Sequence, residues 1–171
     1  MKLVYSVAAS LDGYIAGPNG EYDWITVDPE IDFAAMYARF SGIVMGRRSY
    51  QVFAETGGAP GPTLPTYVYS TTLPEGERDG ITFVRDAVTN VRTLKAQGEG
   101  RPLWLWGGGE LFRQLADVGL VDGIEIAIVP VVLGDGLPLI ATPGPRLRLH
   151  LRGHRVYQAT GTLVLQYDIL A

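Results

Sequence analysis

A chain of 171 residues, 47% hydrophobic and 19% charged, can bury a full core and lacks the composition of a disordered segment. A net charge of −4 with no basic tract argues against nucleic acid or an acidic membrane surface as the main partner. With no cysteine there is no disulfide framework and no thiolate metal site, and His150 and His154 lack a nearby carboxylate pattern, so no metal is expected.

The chain runs from Met1 straight into a strand pattern, and no apolar run approaches membrane-spanning length. A cytoplasmic protein with a single domain over 1–171 is therefore expected. Residues 2–9 predict a strand with Leu3, Tyr5 and Val7 on one side and Val4, Ser6 and Ala8 on the other, mostly apolar on both, as in a central strand. Pro18-Asn19-Gly20 marks a turn. Asp28-Pro29 predicts the start of a helix reaching about Phe40, with Phe33, Tyr37 and Phe40 on one face. Residues 43–45 read as a short buried strand closed by Gly46, and strand, helix and strand in that order predict a right-handed crossover.

A Gly/Pro-rich loop is expected over 54–65, then a strand over 67–69 that ends in Ser70-Thr71-Thr72. Another strand is expected over 81–85, and Asp86 caps a helix carrying Val88, Val91 and Leu94 that stops at Gly98. The apolar run 103–106 meets Gly107-Gly108-Gly109 and resumes at helical spacing through Leu111, Phe112, Leu115 and Val118. Ile124, Ile126 and Ile128 alternate in a strand over 123–129, and 130–138 reads as a loop. In the tail, Leu147, Leu149 and Leu151 alternate with Arg146, Arg148, His150 and Arg152, and strands over 155–158 and 162–169 follow in antiparallel pairing. The fold class is α/β, with a mixed, mostly parallel central sheet, an antiparallel C-terminal portion and helices on both faces.

In open α/β sheets, ligands bind beyond the carboxyl ends of the strands. Those ends carry Ser10 and Asp12, then Gly46, Arg47, Arg48 and Ser49, then Ser70, Thr71 and Thr72, then Arg85, then the three glycines. Residues without Cβ admit a ligand to the backbone, and free amides at a helix start carry partial positive charge, so the glycine turn suits a pyrophosphate. Arginines and hydroxyls suit a further phosphate. No Walker lysine pattern and no acidic residue for a ribose 2′-hydroxyl are present, which points to the 2′-phosphorylated dinucleotide, NADP.

The segments 6–16 (Ser-Val-Ala-Ala-Ser-Leu-Asp-Gly-Tyr-Ile-Ala), 44–50 (Val-Met-Gly-Arg-Arg-Ser-Tyr), 69–72, 107–111, 120–122 and 130–136 occur in an order and spacing that resemble the dihydrofolate reductase-like superfamily. The likeness is to its riboflavin-biosynthesis reductase (RibD C-terminal) branch and spans nearly the whole chain. The resemblance implies a three-layer fold and an NADPH-dependent reductase acting on a pteridine-like or aminopyrimidine-like heterocycle, as dihydrofolate reductase or 5-amino-6-(5-phosphoribosylamino)uracil reductase does. By position it implies that Gly46, Arg47, Arg48 and Ser49 hold cofactor phosphates. It puts the adenosine 2′-phosphate at Ser70, Thr71 and Thr72 with Arg85 helping, and the pyrophosphate at Gly107, Gly108, Gly109, Glu110 and Leu111. Ala9, Asp12 and Ile15 fall at the nicotinamide and substrate edge. A homodimer is implied too, for which Val131-Val132-Leu133 offers an apolar contact. Two positions depart from the branch: Trp106 stands where a glutamate precedes the glycine turn, and Gln51-Val52-Phe53 replaces paired aspartates.

Hydride transfer needs a proton delivered opposite the hydride. Asp12 is the expected source, with Tyr14, Glu30 and Asp32 behind it, or a water that one of them orients; Tyr14, Glu30 and Asp32 are also expected substrate contacts. Trp24 is placed to cover a flat heterocycle. The competing reading is a non-catalytic dinucleotide-binding dimer that kept the reductase fold.

Overall fold

The computed structural model of the protein describes residues 1–55, 64–98, 100–144 and 146–170. Its elements in chain order are β1 (Leu3–Ser10), β2 (Tyr14–Ala16), α1 (Phe33–Ala38), β3 (Gly42–Gly46), α2 (Arg47–Glu55), β4 (Thr66–Tyr69), β5 (Gly76–Arg78), β6 (Ile81–Val84), α3 (Ala87–Gln97), β7 (Leu103–Gly107), α4 (Gly109–Asp117), β8 (Gly123–Val129), β9 (Leu137–Pro138), β10 (Arg148–Tyr157) and β11 (Thr162–Leu170). Nine strands form one sheet in the order β10-β11-β8-β1-β7-β3-β4-β6-β5, and β2 pairs with β9 apart from it. The strands from β8 through β6 run parallel, while β11 joins β8, β10 joins β11 and β5 joins β6 antiparallel.

Alternation along each central strand feeds two cores, because both faces are covered. Leu3, Tyr5, Val44, Leu103, Leu105 and Ile124 pack with Ala87 and Val91 of α3 and Leu111, Phe112 and Leu115 of α4. On the other face Ile43, Met45, Val68, Phe83 and Trp104 pack with Tyr37 of α1 and with Phe40, while Tyr50 and Phe53 of α2 close over them. The expected mixed sheet with helices on both faces is the observed one.

Several local expectations are corrected. Asp28 does not open the first helix. It is buried, and its carboxylate accepts hydrogen bonds from the amides of Glu30 and Thr160 and from the Thr160 hydroxyl. Asp32 is the N-cap instead, accepting from the Ala35 amide at 2.9 Å, so α1 is short and ends before Phe40. Arg47 begins a helix that the sequence reading did not foresee, and Ala54 and Glu55 of the expected 54–65 loop belong to it; 56–63 of that loop lies outside the described residues. The short strands β2, β5 and β9 are not foreseen, and 148–157 is one strand with an irregularity between Leu151 and Gly153, not two.

Candidate functional site

Parallel strands end on a common edge, and five of these ends are consecutive in the sheet: β1, β7, β3, β4 and β6. Read along that edge, they deliver Ser10, Gly107, Gly46, the Ser70 loop and Arg85 in a row. At about 4.8 Å per strand, four steps span about 19 Å.

The turn from β7 into α4 is shaped by what glycine omits. Gly107 is buried at φ +150°, and a Cβ there would lie 2.8 Å from Ser49 Oγ. A Cβ on Gly109 would lie 2.6 Å from the Pro138 carbonyl oxygen and 3.0 Å from that of Leu139. Gly108 is the N-cap of α4 and makes no side-chain cap bond, and the Phe112 amide already bonds the Gly108 carbonyl. The amides of Gly109, Glu110 and Leu111 therefore have no acceptor among the described residues. Uncapped donors at a helix start fit an anionic group. Glu110 is exposed in that first turn. The Leu111 side chain is buried in the core, so its part in the turn is carried by its backbone amide.

Across from this turn, Arg47 and Arg48 start α2. Both are exposed, and neither has an ion-pair partner among the described residues. One strand further on, Ser70 Oγ accepts from the amides of Thr72 and Leu73 and lies 3.2 Å from Thr72 Oγ1, which folds the loop and leaves Thr71 and Thr72 exposed. Arg85 Nη1 donates to the Thr71 carbonyl at 2.9 Å, so the two groups expected to act together do meet. Glu75, unforeseen, accepts from the Arg85 amide and lies 4.0 Å from its guanidinium, which partly neutralises it.

The nicotinamide side is more crowded. Ala9 is buried within β1, and Ile15 Cδ1 would sit 3.7 Å from a Cβ on Gly108. Tyr14 is half-buried; its amide donates to Ser10 Oγ at 2.9 Å, and its hydroxyl has no partner among the described residues. Trp24 is half-buried and donates Nε1 to the Glu21 carbonyl. Asp12 accepts from the Leu133 amide at 3.1 Å and the Gly134 amide at 2.8 Å. A hydrogen bond from the Ser10 hydroxyl, reinforced by the Gly134 and Leu133 amides against a smaller desolvation, holds its carboxyl below the usual carboxylate range. Glu30 pairs with Arg155 at 3.2 Å and Asp32 caps α1, so these two expected substrate carboxylates are engaged elsewhere.

A polar cluster that sequence reasoning missed lies beneath α1. Glu125, 8% exposed, takes both guanidinium nitrogens of Arg39 at 3.2 and 2.6 Å, the Gln166 amide at 2.6 Å and the Ser6 hydroxyl at 3.3 Å. Alternation with Ile124 and Ile126 assigns Glu125 to the opposite face, but nothing local says that this face is covered.

Residues 1–163 match the model of the RibD C-terminal domain. The chain belongs to the RibD C-terminal domain family. As a RibD C-terminal domain it is similar to two Bacillus subtilis (strain 168) proteins. YyaP is 29% identical, with 97% of this chain and 94% of that protein covered; YwjB is 27% identical, with 91% and 92% covered. Among solved structures, a Shewanella sp. PV-4 protein named for riboflavin biosynthesis has a TM-score of 0.85 at 26% identity over the full length of both chains. RibD of Acinetobacter baumannii has a TM-score of 0.72 at 17% identity, covering 99% of this chain and 58% of its own. A Thermotoga maritima diaminohydroxyphosphoribosylaminopyrimidine deaminase/5-amino-6-(5-phosphoribosylamino)uracil reductase has a TM-score of 0.67 at 14% identity, over 99% and 56%. The fold is thus the dihydrofolate reductase-like one, and the family is one of reductases that are generally NADPH-dependent. In this RibD C-terminal domain the two departures from the branch meet: Trp106 packs edge-on to Phe53 at 5.6 Å between ring centroids. No helix among the described residues is long and apolar enough to cross a membrane.

Proposed function

We propose that this chain is an NADPH-dependent reductase that transfers a hydride to a pteridine-like or aminopyrimidine-like heterocycle. The observation that carries the reading is the row of five adjacent strand ends. The amides of Gly109, Glu110 and Leu111, without an acceptor among the described residues, lie at one step, Arg47 and Arg48, without an ion-pair partner among them, at the next, and the Ser70 loop with Arg85 beyond them. Pyrophosphate at the glycine turn and a 2′-phosphate toward Arg47, Arg48, Ser70, Thr71 and Thr72 would follow the row in order. NADPH, when bound, supplies the hydride. The protein's part is to hold the acceptor beside Ile15 and exclude water. Asp12, Glu30 and Asp32 all have protein partners, which leaves the Tyr14 hydroxyl to contact the heterocycle and solvent water as the proton source.

That engagement of all three carboxylates is also what favours the second reading, a dinucleotide-binding dimer without turnover. NADPH oxidation with a panel of pterins, flavins and aminopyrimidines separates the two. The cofactor assignment is tested by Arg47→Ala combined with Arg48→Ala: NADPH affinity falls at least about tenfold more than NADH affinity. Equal losses would remove the 2′-phosphate contact from the proposal. A homodimer and a cytoplasmic location belong to the same proposal.

A further inference from the structure

The segment 130–141 crosses the carboxyl edge as a strap, and its backbone is tied to the β1–β2 turn at several points. The Leu11 amide donates to the Val131 carbonyl at 2.8 Å, and the Leu139 amide donates to the Gly13 carbonyl at 2.8 Å. β9 pairs with β2 through Pro138 with Tyr14 and Leu137 with Ala16. The far end of the strap rests on the glycine turn, where the Pro138 and Leu139 carbonyls fill the space beside the Gly109 Cα that a Cβ would take. From below, the Tyr5 hydroxyl donates to the Leu139 carbonyl at 2.9 Å, and its ring stacks on Phe112 of α4 at 4.5 Å. Ile15, in the strand that pairs with the strap, reaches Gly108.

Between these two anchored ends, the amides of Leu133 and Gly134 turn back onto one side chain, the Asp12 carboxylate. Among the described residues, Asp12 is the only side chain outside the strap that hydrogen-bonds its 131–136 half. We infer that Asp12 is a positioning residue and not the proton donor: its carboxylate fixes the strap, and through the strap it sets the seating of Ile15 and of the Gly108-Gly109 turn for the dinucleotide. A carboxylate that accepts from two backbone amides is bound in its ionised form and has no proton to give, while its two oxygens suit two adjacent amides.

The inference rests on the reductase reading, and the experiment is chosen to separate the failures of the two. NADPH affinity by fluorescence titration and kcat at saturating NADPH are measured for the wild type, Asp12→Asn and Asp12→Ala, with thermal unfolding as the check on folding. Asn keeps one acceptor oxygen and Ala keeps none, so NADPH affinity falls in steps, about threefold for Asn and about tenfold for Ala. The fall in kcat follows the same order, smaller for Asn than for Ala and no larger than the loss of affinity, and its pH profile keeps the wild-type limbs. A proton donor would behave otherwise: Asn and Ala would lose kcat equally while NADPH bound as before, and that result overturns the inference. Unchanged affinity and unchanged kcat in both variants overturn it too, with the reductase reading left standing. A wild type that does not bind NADPH overturns both.

Discussion

Glu125 shows what a single residue can hide. It is taken out of water in mid-strand, and desolvation pushes its carboxyl up, but the hydrogen bond and charge of Arg39, with the Gln166 amide and Ser6 hydroxyl, bring it below the ordinary glutamate value. A depressed folded pKa contributes stability that is full above the ordinary value of 4.5 and lost as pH falls from there through the folded one. Glu125→Gln should therefore flatten the fall of Tm between pH 7 and pH 3, whereas curves parallel to wild type would contradict the cluster. Arg39→Met leaves the buried carboxylate with reduced pairing and should cost about 2–3 kcal/mol by denaturant unfolding, discounted from a fully buried pair because Arg39 is half exposed. None of this is legible from 123–129 alone, since the partners lie 41 to 119 residues away in the chain. Arg47, Arg48, Ser70 and Arg85 were legible because each lies within three residues of the end of an apolar run.

Elements were readable in proportion to how local their causes are. The α3 cap at Asp86, accepting from the Thr89 amide at 3.0 Å, and the β7 run into α4 follow from adjacent residues. Asp28 and Asp32 are equally good caps by type, and the choice falls to Asp32 because the turn between β10 and β11, more than 130 residues on, claims Asp28. The two- and three-residue strands β2, β5 and β9 exist only through their pairing and carry no pattern of their own. The strap and the glycine turn act as one element, so Gly109→Ala sets a methyl against the Pro138 carbonyl. It should cost about 1–3 kcal/mol in urea unfolding and weaken NADPH binding together with it. A variant as stable as wild type would show that the strap does not rest there.

For the whole molecule, chain order and strand order differ, and that reordering lines up the polar ends. The sequence pattern supplies the list of ends, but only pairing reveals that β1, β7, β3, β4 and β6 are neighbours and that the rim is a row. The outer end of the sheet bears on the proposed dimer. Leu149, Leu151 and Val156 of the edge strand β10 are 43%, 48% and 46% exposed, and in the Val131-Val132-Leu133 segment, whose backbone is tied to Leu11 and Asp12, the Val132 side chain is 65% exposed. A ten-residue edge strand with unpaired backbone groups and three exposed apolar side chains is a surface that proteins cover. Light scattering should give about twice the 18.5 kDa chain mass, and Leu151→Glu should give the single mass; a wild-type monomer would contradict it. The central claim is the cradle for NADPH, and the most direct measurement is a crystal structure of the NADPH complex. The account predicts pyrophosphate oxygens within hydrogen-bonding distance of the Gly109, Glu110 and Leu111 amides, and the 2′-phosphate near Arg47, Arg48 or the Ser70 loop. A dinucleotide bound away from the carboxyl edge, or none bound at millimolar NADPH, would contradict it.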